Sequence, residues 1–251
     1  MPKKQDHWLI ELVKTVVYAG AFVLLFHSLL YKPFNIPTPS MVPTLLVGDY
    51  LFVSKFTYGY SRYSFPFGFP LFEGRVLSGA PKQGDVIVFR PSHEIGEDWI
   101  KRVIGVPGDV IQVVDGIVIV NGQEARLQFK EDYKWRDEKG RYHTSQLYTE
   151  TLPNGVEHLI VKTVDFGMNV LDNTQEFVVP EGFYFVMGDN RDHSDDSRGT
   201  RLGMVPYENI VGQAELIFFS TKIPTDPETY WWQPWKWPTE TRYGRMMQMI
   251  Y

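Results

Sequence analysis

Apolar residues fill the chain from Trp8 to Tyr31, broken near the start only by Glu11 and Lys14. As a helix rising ~1.5 Å per residue, such a run reaches across a bilayer core of about 30 Å. Glu11 and Lys14 stand three apart, so they share a helix face and can pair. Lys14 can also reach back toward head groups. Trp8 and Tyr31 lie where interfacial aromatics belong, and the polar His27 and Ser28 lie close to the far end. Lys3, Lys4 and Lys14 precede or open the run, while only Lys32 follows it before Lys55. That asymmetry puts the N-terminus in the cytoplasm and everything beyond Lys32 outside. A cleavable leader and a buried core helix are the competing readings. The run is long for a leader, and no small-x-small site follows it. The formal site Ala19-Gly20-Ala21 sits inside the apolar run, where it would be held within the bilayer. A retained single-pass anchor is therefore expected.

Beyond Pro33 the pattern changes to short apolar runs separated by turn residues. Tyr50–Val53 and Val86–Phe89 each follow a Gly-Asp pair. Val110–Val114, Asp115-Gly116, Ile117–Val120 and Asn121-Gly122 predict consecutive hairpins. Gly182–Met187 and Ile210–Phe219 supply further strands, and together these runs predict one antiparallel core. Between about Gln123 and Asn173 the chain is charged and rich in Tyr and Lys, with a turn at Pro153-Asn154-Gly155. It reads as an inserted β-rich subdomain. The loop Gly59–Gly79, with Phe65-Pro66-Phe67-Gly68-Phe69-Pro70, is aromatic; it either dips into lipid or folds over the core. The tail Tyr230–Pro238 holds four of the seven tryptophans, and its prolines disfavour a helix. Its tryptophans suit a membrane interface and packing against the core equally.

Composition narrows the class. A net charge of -5 on 251 residues argues against a nucleic-acid binder, which would present a basic face. Aromatics at 15%, with 21 Gly and 17 Pro, suit short strands and many turns. The absence of cysteine excludes disulfides and thiolate metal sites.

The chemistry concentrates at two residues. Ser40 lies in Ile36-Pro37-Thr38-Pro39-Ser40-Met41-Val42-Pro43-Thr44, where three prolines stiffen the loop by fixing φ. A serine hydroxyl is a weak nucleophile until a base takes its proton, and an amine can be that base if burial keeps it neutral. Lys101 lies in Trp99-Ile100-Lys101-Arg102-Val103-Ile104-Gly105-Val106-Pro107-Gly108-Asp109, among apolar neighbours. A free lysine, with pKa about 10.4, is neutral only roughly once in a thousand near pH 7.4. Desolvation has to lower that value by units. A third stretch runs Gly188-Asp189-Asn190-Arg191-Asp192-His193-Ser194-Asp195-Asp196-Ser197-Arg198, and a short one Gly84-Asp85-Val86-Ile87-Val88-Phe89.

These four stretches, in this order, resemble the motif boxes of the bacterial type I signal peptidases: P-x-x-S-M-x-P-T-L, G-D-[IV]-[IV]-x-F, K-R-V-I-G-x-P-G-D and G-D-N-R-x-x-S-x-D-S-R. The resemblance runs from about Phe34 to Phe219. It implies a mainly β, antiparallel catalytic domain with an inserted β-rich subdomain behind one transmembrane helix. The chain then divides into an anchor at 1–32, the first part of the catalytic domain at 33–122, the insertion at 123–173, and the second part with its aromatic tail at 174–251. The implied activity is removal of signal peptides from exported preproteins after small residues (A-x-A), through an acyl-enzyme. It would take place on the outer side of the cytoplasmic membrane, in contact with lipid and near the secretion translocon. The resemblance makes Ser40 the nucleophile and Lys101 the general base. It gives Thr38, where the family usually has serine, and the Ser40 amide the oxyanion. Ser194 would orient the lysine, and Asp189, Arg191, Asp196 and Arg198 would form supporting ion pairs. Phe34, Ile36 and Ile100 would line the substrate pockets. No cofactor, metal or nucleic acid is expected.

Other readings fit less well. No G-x-S-x-G elbow surrounds any serine, and His193 falls at a position the family leaves variable, which reads as solvent-facing. His93-Glu94-Ile95-Gly96-Glu97 lacks the second histidine of a zinc protease. A self-cleaving repressor needs a DNA-binding segment where this chain has its apolar run. A catalytically inactive, membrane-tethered peptide-binding module remains the alternative from another class; intact Ser40, Lys101 and Ser194 argue against it.

Overall fold

The computed structural model describes residues 5–61, 63, 74–77, 79–92, 96–222, 235 and 237–251, with backbone only at 5–7 and 22–29. Lys3, Lys4, the side chains of His27 and Ser28, most of the aromatic loop, His93-Glu94 and most of the tryptophan-rich tail lie outside the described residues. The apolar run forms helix α1 (Gln5–Leu29). Lys14 Nζ donates to Glu11 Oε1 at 3.1 Å, as their spacing predicts. The α1 side chains that are described, Trp8 to Ala21, are all exposed. Among the described residues no helix is long and apolar enough to cross a membrane.

The rest of the described chain is mainly β. In chain order come β1 (Tyr31–Asn35), β2 (Asp49–Ser54), β3 (Val86–Phe89), β4 (Trp99–Gly105), β5 (Val110–Val114), β6 (Ile117–Val120) and β7 (Gln123–Glu124). Then follow β8 (Arg126–Arg136), β9 (Tyr142–Thr151), β10 (Glu157–Lys162), β11 (Phe177–Val178), β12 (Phe183–Met187), β13 (Val205–Pro206) and β14 (Ile210–Ser220). A short helix α2 (Trp237–Glu240) and β15 (Gln248–Met249) close the chain. The main sheet has the order β1-β2-β14-β3-β4-β12-β13, with β15 on β14, and its pairings are antiparallel.

β3 and β4 are buried almost throughout, which is why they read as continuous apolar runs. Alternation still assigns their side chains. Val86 and Val88 join a core with Ile36, Met41, Leu45 and Ile100, while Ile87 and Phe89 join another with Val103, Tyr184 and Val186. Each such side chain, fully buried, is worth ~1.5–3 kcal/mol in transfer free energy. Across this pair Ile87 sits opposite Lys101.

The hairpins at Asp115-Gly116 and Asn121-Gly122 form as their turn residues predict. All four have left-handed φ, at 46°, 77°, 51° and 76°. The expected antiparallel core is divided between sheets. β5, β6 and β7 pair with β11 in a separate four-stranded sheet. Pro107-Gly108 interrupts the chain after β4, and β5 folds back so that Ile111 packs with Ile104, Phe185 and Met187.

β8, β9 and β10 make a third, three-stranded sheet. Most of β8 is exposed, as its charged composition suggests. Its few buried residues form a small core in which Trp135, Leu147 and Val161 meet Val42. The sheet therefore braces the loop that carries Ser40.

Candidate active site

The Ser40 loop leaves β1 and returns into β2. The Ile36 N–H donates to Asp49 O at 2.8 Å, and the Leu45 N–H to Met41 O at 2.8 Å. Met41 and Val42 are fully buried, but in different cores, so the backbone next to Ser40 is pinned from two sides. A third tie comes from Asn190, whose N–H donates to Ser40 O at 3.1 Å and whose Nδ2 donates to Pro39 O at 3.2 Å.

β4 brings Lys101 to this loop. Lys101 Nζ donates to Ser40 Oγ at 2.9 Å and to Ile100 O at 3.0 Å. Lys101 is 4% exposed and Ser40 7%. Burial pushes the ammonium down to about 8, against the opposing pull of Asp196, Asp195 and Asp189. At pH 7 about one lysine in ten is then neutral, against about one in 2,500 for a free side chain. An amine so poised, in hydrogen-bond contact with a hydroxyl, can take its proton. The sign of the pH dependence follows. Deprotonation activates the base, so kcat/KM for peptide cleavage is expected to rise about tenfold per pH unit below about pH 8 and level off above it. A profile that is flat, or that falls as pH rises over this range, would remove Lys101 as the base.

Around this pair lies a set of buried charges. Arg102, wholly buried, grips Asp189 through Nε at 2.9 Å and Nη2 at 2.8 Å, and its Nη1 donates to Gly84 O and Tyr251 O. Although burial opposes ionisation, Arg102 holds the Asp189 carboxyl below its ordinary value. Arg191 pairs with Glu150 through two nitrogens, one at 2.7 Å. Arg198 grips Asp196 at 2.9 Å through both Nε and Nη2, and donates to Arg191 O. Asp196 in turn accepts the Gly188 N–H at 3.1 Å. Gly188 is small for a reason. A Cβ there would lie 2.2 Å from Ser194 Oγ and 2.5 Å from Ser40 O, so only glycine lets the Ser194 side chain and the Ser40 backbone converge.

A cavity of about 360 Å³ opens over the pair. Phe34, Thr38, Ser40, Ile100 and Lys101 line it. Ile36 does not; its side chain is 1% exposed and belongs to the core beneath. Phe34, two residues earlier and partly buried, packs against that same core while also reaching the cavity. Thr38 is exposed at the cavity wall, and its hydroxyl makes no hydrogen bond among the described residues. The Ser194 hydroxyl is buried beside the Asp196 carboxyl and makes no hydrogen bond to Lys101 among the described residues. His193 is exposed and also lines the cavity. Sequence reasoning gave no role to Asn190, although it lies inside the third motif stretch. It also passed over Glu150, which lies in a segment with no motif; only the buried Arg191 calls for such a carboxylate.

The family model described as "Signal peptidase, peptidase S26" matches residues 9–219. This chain belongs to that family. The match takes in every site residue from Phe34 to Arg198, and a signal peptidase of this kind is a serine peptidase. A protein named Signal peptidase I from Rickettsia canadensis (strain McKiel) is 42% identical over 225 residues, 87% of this chain and 81% of its own length. Another of that name from Rickettsia bellii (strain OSU 85-389) is 37% identical over 95% of this chain and 84% of its own length. A crystal structure of a signal peptidase I from Enterococcus faecalis V583 is 28% identical and covers 54% of this chain and 97% of its own, with a TM-score of 0.32.

Proposed function

We propose that this signal peptidase removes N-terminal signal peptides from exported preproteins with a Ser40/Lys101 dyad, cutting after small residues in an A-x-A pattern. The observation that carries the reading is the 2.9 Å contact between the buried Lys101 amine and the Ser40 hydroxyl. The preprotein's cleavage segment would lie extended beside β1, an edge strand of the main sheet, a common mode of peptide recognition. Phe34 and Ile100 line the cavity in which the small side chains before the scissile bond would sit.

Neutral Lys101 takes the Ser40 proton as Oγ attacks the carbonyl carbon. The oxyanion is held by the Thr38 hydroxyl and the Ser40 N–H. The new Lys101 ammonium finds an acceptor in the Ser194 hydroxyl, then gives its proton to the leaving amine as the C–N bond breaks. In the second half Lys101 takes a proton from water as its oxygen attacks the acyl ester, then gives that proton to Ser40 Oγ as the ester C–O bond breaks. Asp189, Arg191, Asp196 and Arg198 act as positioning residues through their ion pairs, not by touching substrate.

Helix α1, which the apolar run forms, is the single membrane anchor in this reading. Its N-terminus is cytoplasmic and Ser40 lies outside. The segment 1–32 anchors, 123–173 is an insertion, and 33–122 with 174–251 make the catalytic domain. Preproteins and lipid are its partners, with the translocon nearby. Detergent-solubilised protein incubated with a secretory precursor is expected to release a mature product whose N-terminal sequence begins directly after A-x-A. An uncut precursor, or a product cut at unrelated positions, would refute the reading.

A further inference from the structure

Three cavities run in series along the face that holds Ser40. The central one shares Phe34, Pro37, Glu97 and Asp98 with a cavity of about 380 Å³ that also reaches Lys32 and Pro33, close to the end of α1. On the other side it shares Thr38 and His193 with a cavity of about 350 Å³. The far cavity is built mainly from the β8–β9 hairpin, by Trp135, Asp137, Glu138, Arg141 and His143. On the proposed function the signal segment stays by the membrane anchor and so enters from the α1 end, and the far cavity then receives the residues beyond the scissile bond.

Its walls have a defined chemistry. Trp135 and His143 stack at 4.5 Å with their planes 18° apart, and His193 sets its ring edge-on to Trp135 at 5.3 Å. His143 is held at this angle by Asp137, 3.0 Å from its Nε2. Asp137 also accepts from Arg141 Nε at 2.8 Å, so those two charges cancel. Partial desolvation of the ring against its neighbours, followed by the nearby His143, holds the His193 imidazole below its ordinary value. Glu138, exposed and without an ion pair among the described residues, is the unbalanced charge. A free carboxylate in a wall whose one guanidinium is already paired attracts a cation.

We propose that this cavity is a subsite for the mature side of the preprotein, selecting basic over acidic side chains in the first residues after the scissile bond. The test uses the full-length protein in detergent and precursors that share one signal segment. Lys, Ala or Glu is placed in turn at each of the first three positions after the A-x-A site. In kcat/KM the Lys member is expected to exceed the Glu member by about three- to tenfold at one or more positions. Glu138→Lys should reverse that order, and His193→Ala should weaken it. Continued cleavage with the same Lys-to-Glu ratio in wild type and Glu138→Lys would overturn the subsite while leaving the peptidase reading intact. Failure to cut any precursor would remove that reading and the subsite with it.

Discussion

Precursor cleavage is expected to fall by about 10⁴-fold or more when either Ser40 or Lys101 becomes alanine, with the thermal midpoint nearly unchanged. The two side chains share one hydrogen bond and one proton, so neither does chemistry without the other. The double variant should therefore be no slower than either single one, because groups that act as a unit are strongly non-additive. Lys101→Arg should be as inactive as Lys101→Ala, since a guanidinium keeps its proton in proteins. Single-turnover cleavage of a precursor by all four variants checks this. Substantial turnover by any of them, or a double variant clearly slower than the singles, would break the assignment.

The largest expected effect on stability lies one layer below. Asp189→Ala leaves Arg102 wholly buried with no carboxylate opposite. Breaking a buried pair in this way costs about 3–5 kcal/mol, which for a domain of this size lowers Tm by roughly 10 °C. Replacing both partners by apolar residues, Arg102→Met with Asp189→Leu, should recover much of that loss, because no uncompensated charge then remains. Thermal melts of the single and double variants test the point. A single variant that melts with wild type would show that the pair contributes nothing. A double variant that melts below the single would show that the remaining contacts of Arg102, to Gly84 O and Tyr251 O, matter more than the ion pair.

Local features were the most legible in the sequence. Asp115-Gly116 and Asn121-Gly122 announce their turns because few residues accept left-handed φ. β3 and β4 are plain as apolar runs, and the motif stretches put Ser40, Lys101 and the buried ions within one set of boxes. What the sequence hides is set by distant contacts. Whether β5 joins the main sheet depends on how it folds back after Pro107-Gly108, and no periodicity encodes that. Ile36 and Phe34 look alike as apolar residues beside a proline loop, yet one lies in the core and the other in the cavity wall. The partner of Arg191 is Glu150, one acidic residue among many in a charged segment, and only the fold distinguishes it. The Trp135, His143 and His193 cluster unites residues from two stretches that read separately as a charged hairpin and a solvent-facing histidine.

Val42 sits against Trp135, Leu147 and Val161, and Asn190 holds the Ser40 carbonyl. All of these partners are synthesised long after Ser40 itself. Until the chain has reached Val161 the Ser40 loop lacks its second core, and until Asn190 it lacks its backbone clamp. If Ser40 and Lys101 act as proposed, a nascent chain with Ser40 already exposed is expected to be inert. On the proposed reading, proteolytic competence waits until the third motif stretch supplies Asn190 to the loop.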